Sequence, residues 1–125
     1  MSKRVLIIAE EPDTCLSFLG RALPAALVID VLVATQLVAV RRELARTTYD
    51  LILIGDRVAD ADPYDVALHI KGSKRNRGTP VVCTGFHVGR AAKVLKLLKP
   101  FAFHSPPADT DVIAGKVKER LSQGV

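Results

Sequence analysis

Short, uninterrupted apolar runs recur along this chain, each followed by a stretch whose apolar residues fall at helical spacing, and this alternation restricts the fold more than any other feature. Val5-Leu6-Ile7-Ile8-Ala9, Val28-Ile29-Asp30-Val31-Leu32-Val33, Leu51-Ile52-Leu53-Ile54 and Pro80-Val81-Val82-Cys83-Thr84 are too short for helices and rich in β-branched residues. Such runs predict buried strands, and Phe101-Ala102-Phe103-His104 predicts a short fifth one. Between them, the first helical stripe is Cys15, Leu16, Phe18, Leu19, Ala22 and Leu23, capped by Asp13 or Thr14 and stopped by Pro24. Thr35 is expected to cap a second helix, with Leu37, Val40, Leu44 and Ala45 inward and Arg41, Arg42 and Arg46 outward. A polar loop with Asp60, Asp62 and Pro63 leads into Val66, Ala67, Leu68 and Ile70. Val88, Ala91, Leu95 and Leu98 line a fourth helix, and Ile113, Val117 and Leu121 a last one.

Strands without polar alternation must be covered on both faces, which is the condition of a parallel sheet sandwiched between helices. Right-handed crossovers leave few ways to wind five such units. The expected architecture is therefore α/β, a flavodoxin-like (βα)5 doubly wound sheet of order 2-1-3-4-5, forming one domain over residues 1–125. In sheets of this kind ligands and chemistry sit at the carboxyl ends of the strands. Attention thus falls on residues 9–11, Gly55 and Asp56, Thr84 and Gly85, and residues 105–107.

Several classes of function find no support. No apolar run approaches the roughly 18 to 20 residues of a membrane span. The opening apolar stretch meets Glu10 and Glu11 too soon for a signal peptide, so a cytoplasmic protein away from membranes is expected. Cys15 and Cys83 belong to no CxxC or Cys/His cluster and read as small packed hydrophobes. His69, His87 and His104 lack ligand spacing. There is no glycine-rich phosphate loop, nucleophile elbow or catalytic triad, and no enzyme is expected.

The segments 4–13, 49–54 and 79–82 carry a family likeness. Arg4-Val5-Leu6-Ile7-Ile8-Ala9-Glu10-Glu11-Pro12-Asp13 resembles the opening of bacterial response-regulator receiver domains of the chemotaxis CheY type, and Tyr49-Asp50-Leu51-Ile52-Leu53-Ile54 and Thr79-Pro80-Val81-Val82 resemble their third and fourth strands. The resemblance implies a phosphorylation pocket, and this chain departs from it at most positions. Of two magnesium-holding acids, Ala9 replaces the first and Glu10 keeps the second as a weak remnant; Gly55 stands where the phospho-accepting Asp belongs. Thr84 (or Gly85, by another count) matches the hydroxyl position, and Pro106 replaces the Lys. A glycine offers no nucleophile, the missing Lys removes a positive charge from the phosphoryl oxygens, and a single acid makes a poor magnesium site. The expectation is a degenerate, or pseudo-, receiver with no catalytic residues, no cofactor, and weak or absent Mg²⁺ binding.

What remains for function is surface. By the same resemblance, Phe103 sits at the family's switch aromatic, on a face to which Arg90, Lys93, Lys96, Lys116, Lys118 and Arg120 add positive charge. A solvated helix surface explains those cations equally well. The chain's net charge of +5 favours acidic partners without choosing among them. The leading expectation is a phosphorylation-independent module that docks onto signalling proteins, with a homodimer through the Phe103 face left open. The alternatives are an active phosphorelay receiver using Asp56 as an unorthodox acceptor, and a small-ligand sensor in the pocket emptied at Ala9, Gly55 and Pro106. Last comes a nucleic-acid adaptor through Lys71, Lys74, Arg75 and Arg77, which lacks interleaved aromatics for stacking.

Overall fold

A computed structural model describes residues 2–22, 28–84, 88–98, 102–105 and 110–122. Strands and helices alternate throughout: β1 (Ser2–Ile8), α1 (Asp13–Ala22), β2 (Val28–Ala34), α2 (Leu37–Arg46), β3 (Leu51–Gly55), α3 (Pro63–Gly72), β4 (Val81–Thr84), α4 (Val88–Leu98), β5 (Ala102–Ser105) and α5 (Thr110–Ser122). The strands form one parallel sheet in the order β2-β1-β3-β4-β5, the order expected from the sequence.

Successive strand residues face opposite sides, which divides the core in two. Leu6, Ile8, Ile52, Ile54, Val81 and Cys83 pack toward α2, α3 and α4, meeting Val40, Leu44, Val66, Ile70, Ala91 and Val94. Val5, Ile7, Leu51, Leu53 and Val82 face α1 and α5, against Phe18, Leu19, Ala114, Val117 and Leu121. Every residue of β3 and β4 is buried. That is why these segments are uninterruptedly apolar, and each large side chain sealed there contributes roughly 1.5–3 kcal/mol.

The helices follow the sequence less closely. Ala45 is exposed and Glu43 is buried in its stead, where its Oε2 accepts the Tyr49 hydroxyl at 2.9 Å. Burial, chiefly, and the neighbouring Glu43 carboxylate push the Tyr49 phenol up to about 12. Thr35 does not cap α2. The N-cap residue is Gln36, which makes no side-chain cap bond; the Leu37 N–H is taken instead by Asp60 Oδ1 at 2.8 Å, from the loop after β3. Asp62, in the polar loop, caps α3, accepting from Tyr64 N at 2.8 Å ahead of Pro63. On α4 Val94 is buried with Ala91 and Leu98, whereas Leu95 is only half-buried, and Leu16 of α1 is 43 % exposed. The middle of β2 is open as well, with Val31, Leu32 and Val33 about 40 % exposed, because β2 is an edge strand.

At the amino ends of the strands one side chain ties the connections together. Asn76 is fully buried. Its Oδ1 accepts from Tyr49 N (2.8 Å) and Thr79 Oγ1 (3.3 Å), and its Nδ2 donates to Leu44 O (3.2 Å) and Thr47 O (2.8 Å). The loop after α3 is thereby fastened to the end of α2 and the start of β3. Asn76→Ala should strand the Tyr49 N–H and the Thr47 carbonyl, while Leu44 O keeps Ser73 Oγ, and lower unfolding free energy by about 2–4 kcal/mol in a urea titration. A loss below about 0.5 kcal/mol, the range of ordinary surface changes, would refute this role.

Candidate functional site

The parallel registers bring the carboxyl ends of the central strands to one level. Ile8 pairs with Ile54, Gly55 with Thr84, and Thr84 with Ser105. Thr84, the last residue of β4, therefore stands directly beside Gly55; Gly85 lies outside the described residues. Beyond β1 the chain is held by its backbone. Ala9 N donates to Ala34 O at 3.2 Å, and Glu10 N donates to Arg57 O at 2.8 Å, which joins the loop after β1 to the loop after β3.

The interior of this corner is closed. Ala9 is 1 % exposed, Gly55 is buried and Thr84 is 2 % exposed. A Cβ added at Gly55 would lie 2.7 Å from Ala9 Cβ and 3.8 Å from Cys15 Sγ. The first distance is below any real carbon–carbon contact, so the room a side chain would need at position 55 is already taken by the methyl group of Ala9. The Thr84 hydroxyl is engaged too, 3.0 Å from Cys15 Sγ and 3.4 Å from Ile54 O. With Thr84 donating to the carbonyl, the thiol donates to the hydroxyl, and every group is satisfied.

Neither cysteine is poised for nucleophilic work. Burial raises the Cys15 thiol, the Thr84 bond lowers it by less, and the charge of Asp56 adds a still smaller rise. Cys83 is pushed up to about 12, mainly by burial. Both remain protonated thiols at neutral pH.

The acids stand outside this closed interior. Glu10, Glu11, Asp13 and Asp56 are all exposed. Ala9 and Gly55 have no side-chain oxygen to offer a cation, and among the described residues no three His, Cys, Asp or Glu side chains come together as a metal-holding group. The residues at this corner do not fit a divalent ion that prefers an oxygen-rich cage. Pro106 lies outside the described residues. On the far edge of the sheet, Phe103 is paired through its backbone with Val82, Arg90 is placed on α4, and Lys93, Lys96 and Lys116 are exposed.

Sequence reasoning missed Cys15 as a member of this corner. It stands 69 residues from Thr84, and no spacing rule links a helical cysteine to a strand-end threonine. The clue available was a cysteine in the first turn after the β1 loop, which the winding of the fold aims at the sheet.

No protein-family model matches the sequence, and no curated protein does either. Solved structures do match over nearly the whole chain. The signal receiver domain of a DNA-binding response regulator from Colwellia psychrerythraea superposes with a TM-score of 0.72 at 15% identity, covering 97% of this chain and 99% of that one. A phosphorylated cyanobacterial phytochrome response regulator gives 0.71 at 16% identity, over 100% of this chain and 98% of that one. The receiver domain of a sensor histidine kinase from Pseudomonas aeruginosa, with a magnesium ion coordinated in its active-site cleft, gives 0.67 at 17%, over 95% and 99%. The chain has the fold of response-regulator receiver domains.

Two outcomes follow from the closed corner. Gly55→Ala should destabilise the protein by about 1–3 kcal/mol, as overpacking does. In the Ala9→Gly, Gly55→Ala double variant the two changes should offset each other by about 1 kcal/mol in a double-mutant cycle; strict additivity would contradict the steric account. At neutral pH a thiol-exchange reagent should leave Cys15 and Cys83 unmodified in the native protein and titrate both after unfolding. Prompt modification of the native chain would contradict their burial.

Proposed function

We propose that this chain, with its receiver fold, is a signalling module that works without phosphorylation and presents one fixed conformation to a protein partner. A single observation carries the reading. At the end of β3, where receivers are expected to bear a nucleophilic carboxylate, Gly55 has no side chain and Ala9 fills the room for one. An aspartyl-phosphate cannot form without the carboxylate oxygen that attacks the phosphoryl group.

Substitution by Asp56 is a weaker reading. Asp56 is one residue farther along and exposed, whereas the buried corner is formed by Gly55, Ala9, Cys15 and Thr84. A ligand seated between Ala9 and Gly55 is weaker still, since these residues already meet each other. Magnesium binding is proposed to be weak or absent, with Glu10 as the remnant acid. The chain is proposed to catalyse no reaction of its own.

For the partner surface, the favoured candidate is the α4–β5–α5 edge, where Lys93, Lys96 and Lys116 are exposed. A cationic face of this kind favours an acidic protein surface and raises the rate of encounter. Association of two copies through the same edge is open.

The test is incubation with magnesium and acetyl phosphate, read by intact mass and by the amide NMR spectrum. Neither should change, in the unaltered chain or in Asp56→Asn. A stoichiometric phosphoryl adduct that disappears in Asp56→Asn would replace this proposal with the phosphorelay reading.

A further inference from the structure

The chain's other basic group lies at the end of the molecule where α2 and α3 finish. There the two helices and the turn after α3 enclose a groove of about 530 Å³. Arg41, His69, Lys74 and Arg75 line it over a floor that includes Leu44 and Ala45, and none of its lining residues is acidic. We propose that this groove binds a compact polyanion bearing two or more phosphoryl groups.

Several features make it a built site. The walls are pinned: Ser73 Oγ and Asn76 Nδ2 both donate to Leu44 O at 3.2 Å, which fixes the turn after α3 against the last turns of α2. Arg75 Nε donates to Ala45 O at 3.0 Å. That bond holds the guanidinium at the groove and covers one of the carbonyls that would otherwise repel an anion at a helix carboxyl end. Among the described residues Arg41 and Lys74 form no ion pair, so neither charge is spent within the protein. The acid nearest in sequence, Glu43, is buried; it accepts the Tyr49 hydroxyl and lies 3.8 Å from Arg42 and Arg46 on the outer side of α2.

Size and chemistry select the ligand. The volume falls within the roughly 300–1,000 Å³ of small-molecule sites. Two guanidinium forks and an ammonium match phosphoryl oxygens, the forks with bidentate geometry. No Phe, Tyr or Trp lines the groove to stack a base, so phosphate is expected to carry most of the affinity and any attached nucleoside little of it.

The experiment titrates the full chain, without magnesium, with inorganic triphosphate, with ATP and with adenosine. Amide NMR and calorimetry are read at about 0.15 M ionic strength, where exposed charges are screened beyond about 8 Å. Triphosphate and ATP should bind one to one with shifts confined to residues 41–46 and 69–77, and adenosine should not bind. Arg41→Gln and Lys74→Gln, both changes at exposed positions, should each weaken triphosphate roughly ten-fold while leaving the spectrum folded. Failure of triphosphate and ATP to saturate would overturn the proposal. So would equally strong shifts around Lys93, Lys96 and Lys116, which would mark diffuse counterion binding. Binding of ATP and adenosine without triphosphate would overturn the phosphoryl chemistry. None of these outcomes depends on whether the corner at Gly55 accepts phosphate.

Discussion

The central strands β1, β3 and β4 are buried on both faces, and the rest of the structure follows from that constraint. A parallel strand sealed on two sides cannot carry a polar side chain without a partner, so the interior of these strands is Val, Leu and Ile with Cys83, and Thr84 stands at its margin. The closing helices must run back over the sheet, which sends the helix amino ends to the same side as the strand carboxyl ends. Loops on that side gain the freedom to carry function. In this chain the burial extends through the strand ends, to Ala9 after β1 and Gly55 at the close of β3. Ala9 and Gly55 continue the packed interior to the place where a cleft would open, and Cys15 and Thr84 seal it with a bond between two weakly polar groups. The corner is better described as an extension of the core than as an empty site.

The opposite end of the sheet is organised by polar bonds. Asn76 alone satisfies carbonyls from the end of α2 and the loop behind it, together with the Tyr49 N–H. Buried groups of this kind specify a conformation because a misplaced partner leaves several bonds unmade. The helix–strand connections there are consequently rigid, and the groove between α2 and α3 inherits that rigidity.

The fold was legible because it is written in periodicity. Five apolar runs, five helical stripes and the handedness of crossovers point to the strand order, and the absence of a side chain at position 55 can be read from one letter. What could not be read depends on how elements meet. Glu43 lies on the inward side of α2 because Tyr49 offers it a hydroxyl, a pairing no stripe of apolar residues reveals. Asp60 takes the Leu37 N–H from 23 residues away, displacing the local cap expected at Thr35. Asn76, in a turn that reads only as basic and polar, proves fully buried. The close approach of Ala9 to position 55 depends on the packing of neighbouring strand ends. The sequence shows two small residues but not that they touch.

Charge is divided along the same axis as the helices. Glu10, Glu11, Asp13, Asp56, Asp60, Asp62 and Asp65 are exposed on the loops and helix starts at the strand carboxyl ends, and Arg57 is exposed beside them. Arg41, Arg42, Arg46, Lys71, Lys74, Arg75 and Arg77 are exposed on α2, α3 and the turn that follows. Part of this division is what helix dipoles favour, acids near amino ends and cations near carboxyl ends. Arg46 and Lys71, in the last turns of α2 and α3, answer to that description. Arg75 answers to it across the groove, donating to Ala45 O at the end of α2, whereas Arg41 lies in the middle of α2 and Lys74 and Arg77 follow the end of α3. Helix stabilisation therefore accounts for the cations at the last turns and for Arg75, and leaves Arg41 and Lys74 at the groove in excess. An excess of like charge on a rigid surface costs self-repulsion, and a bound anion would relieve it.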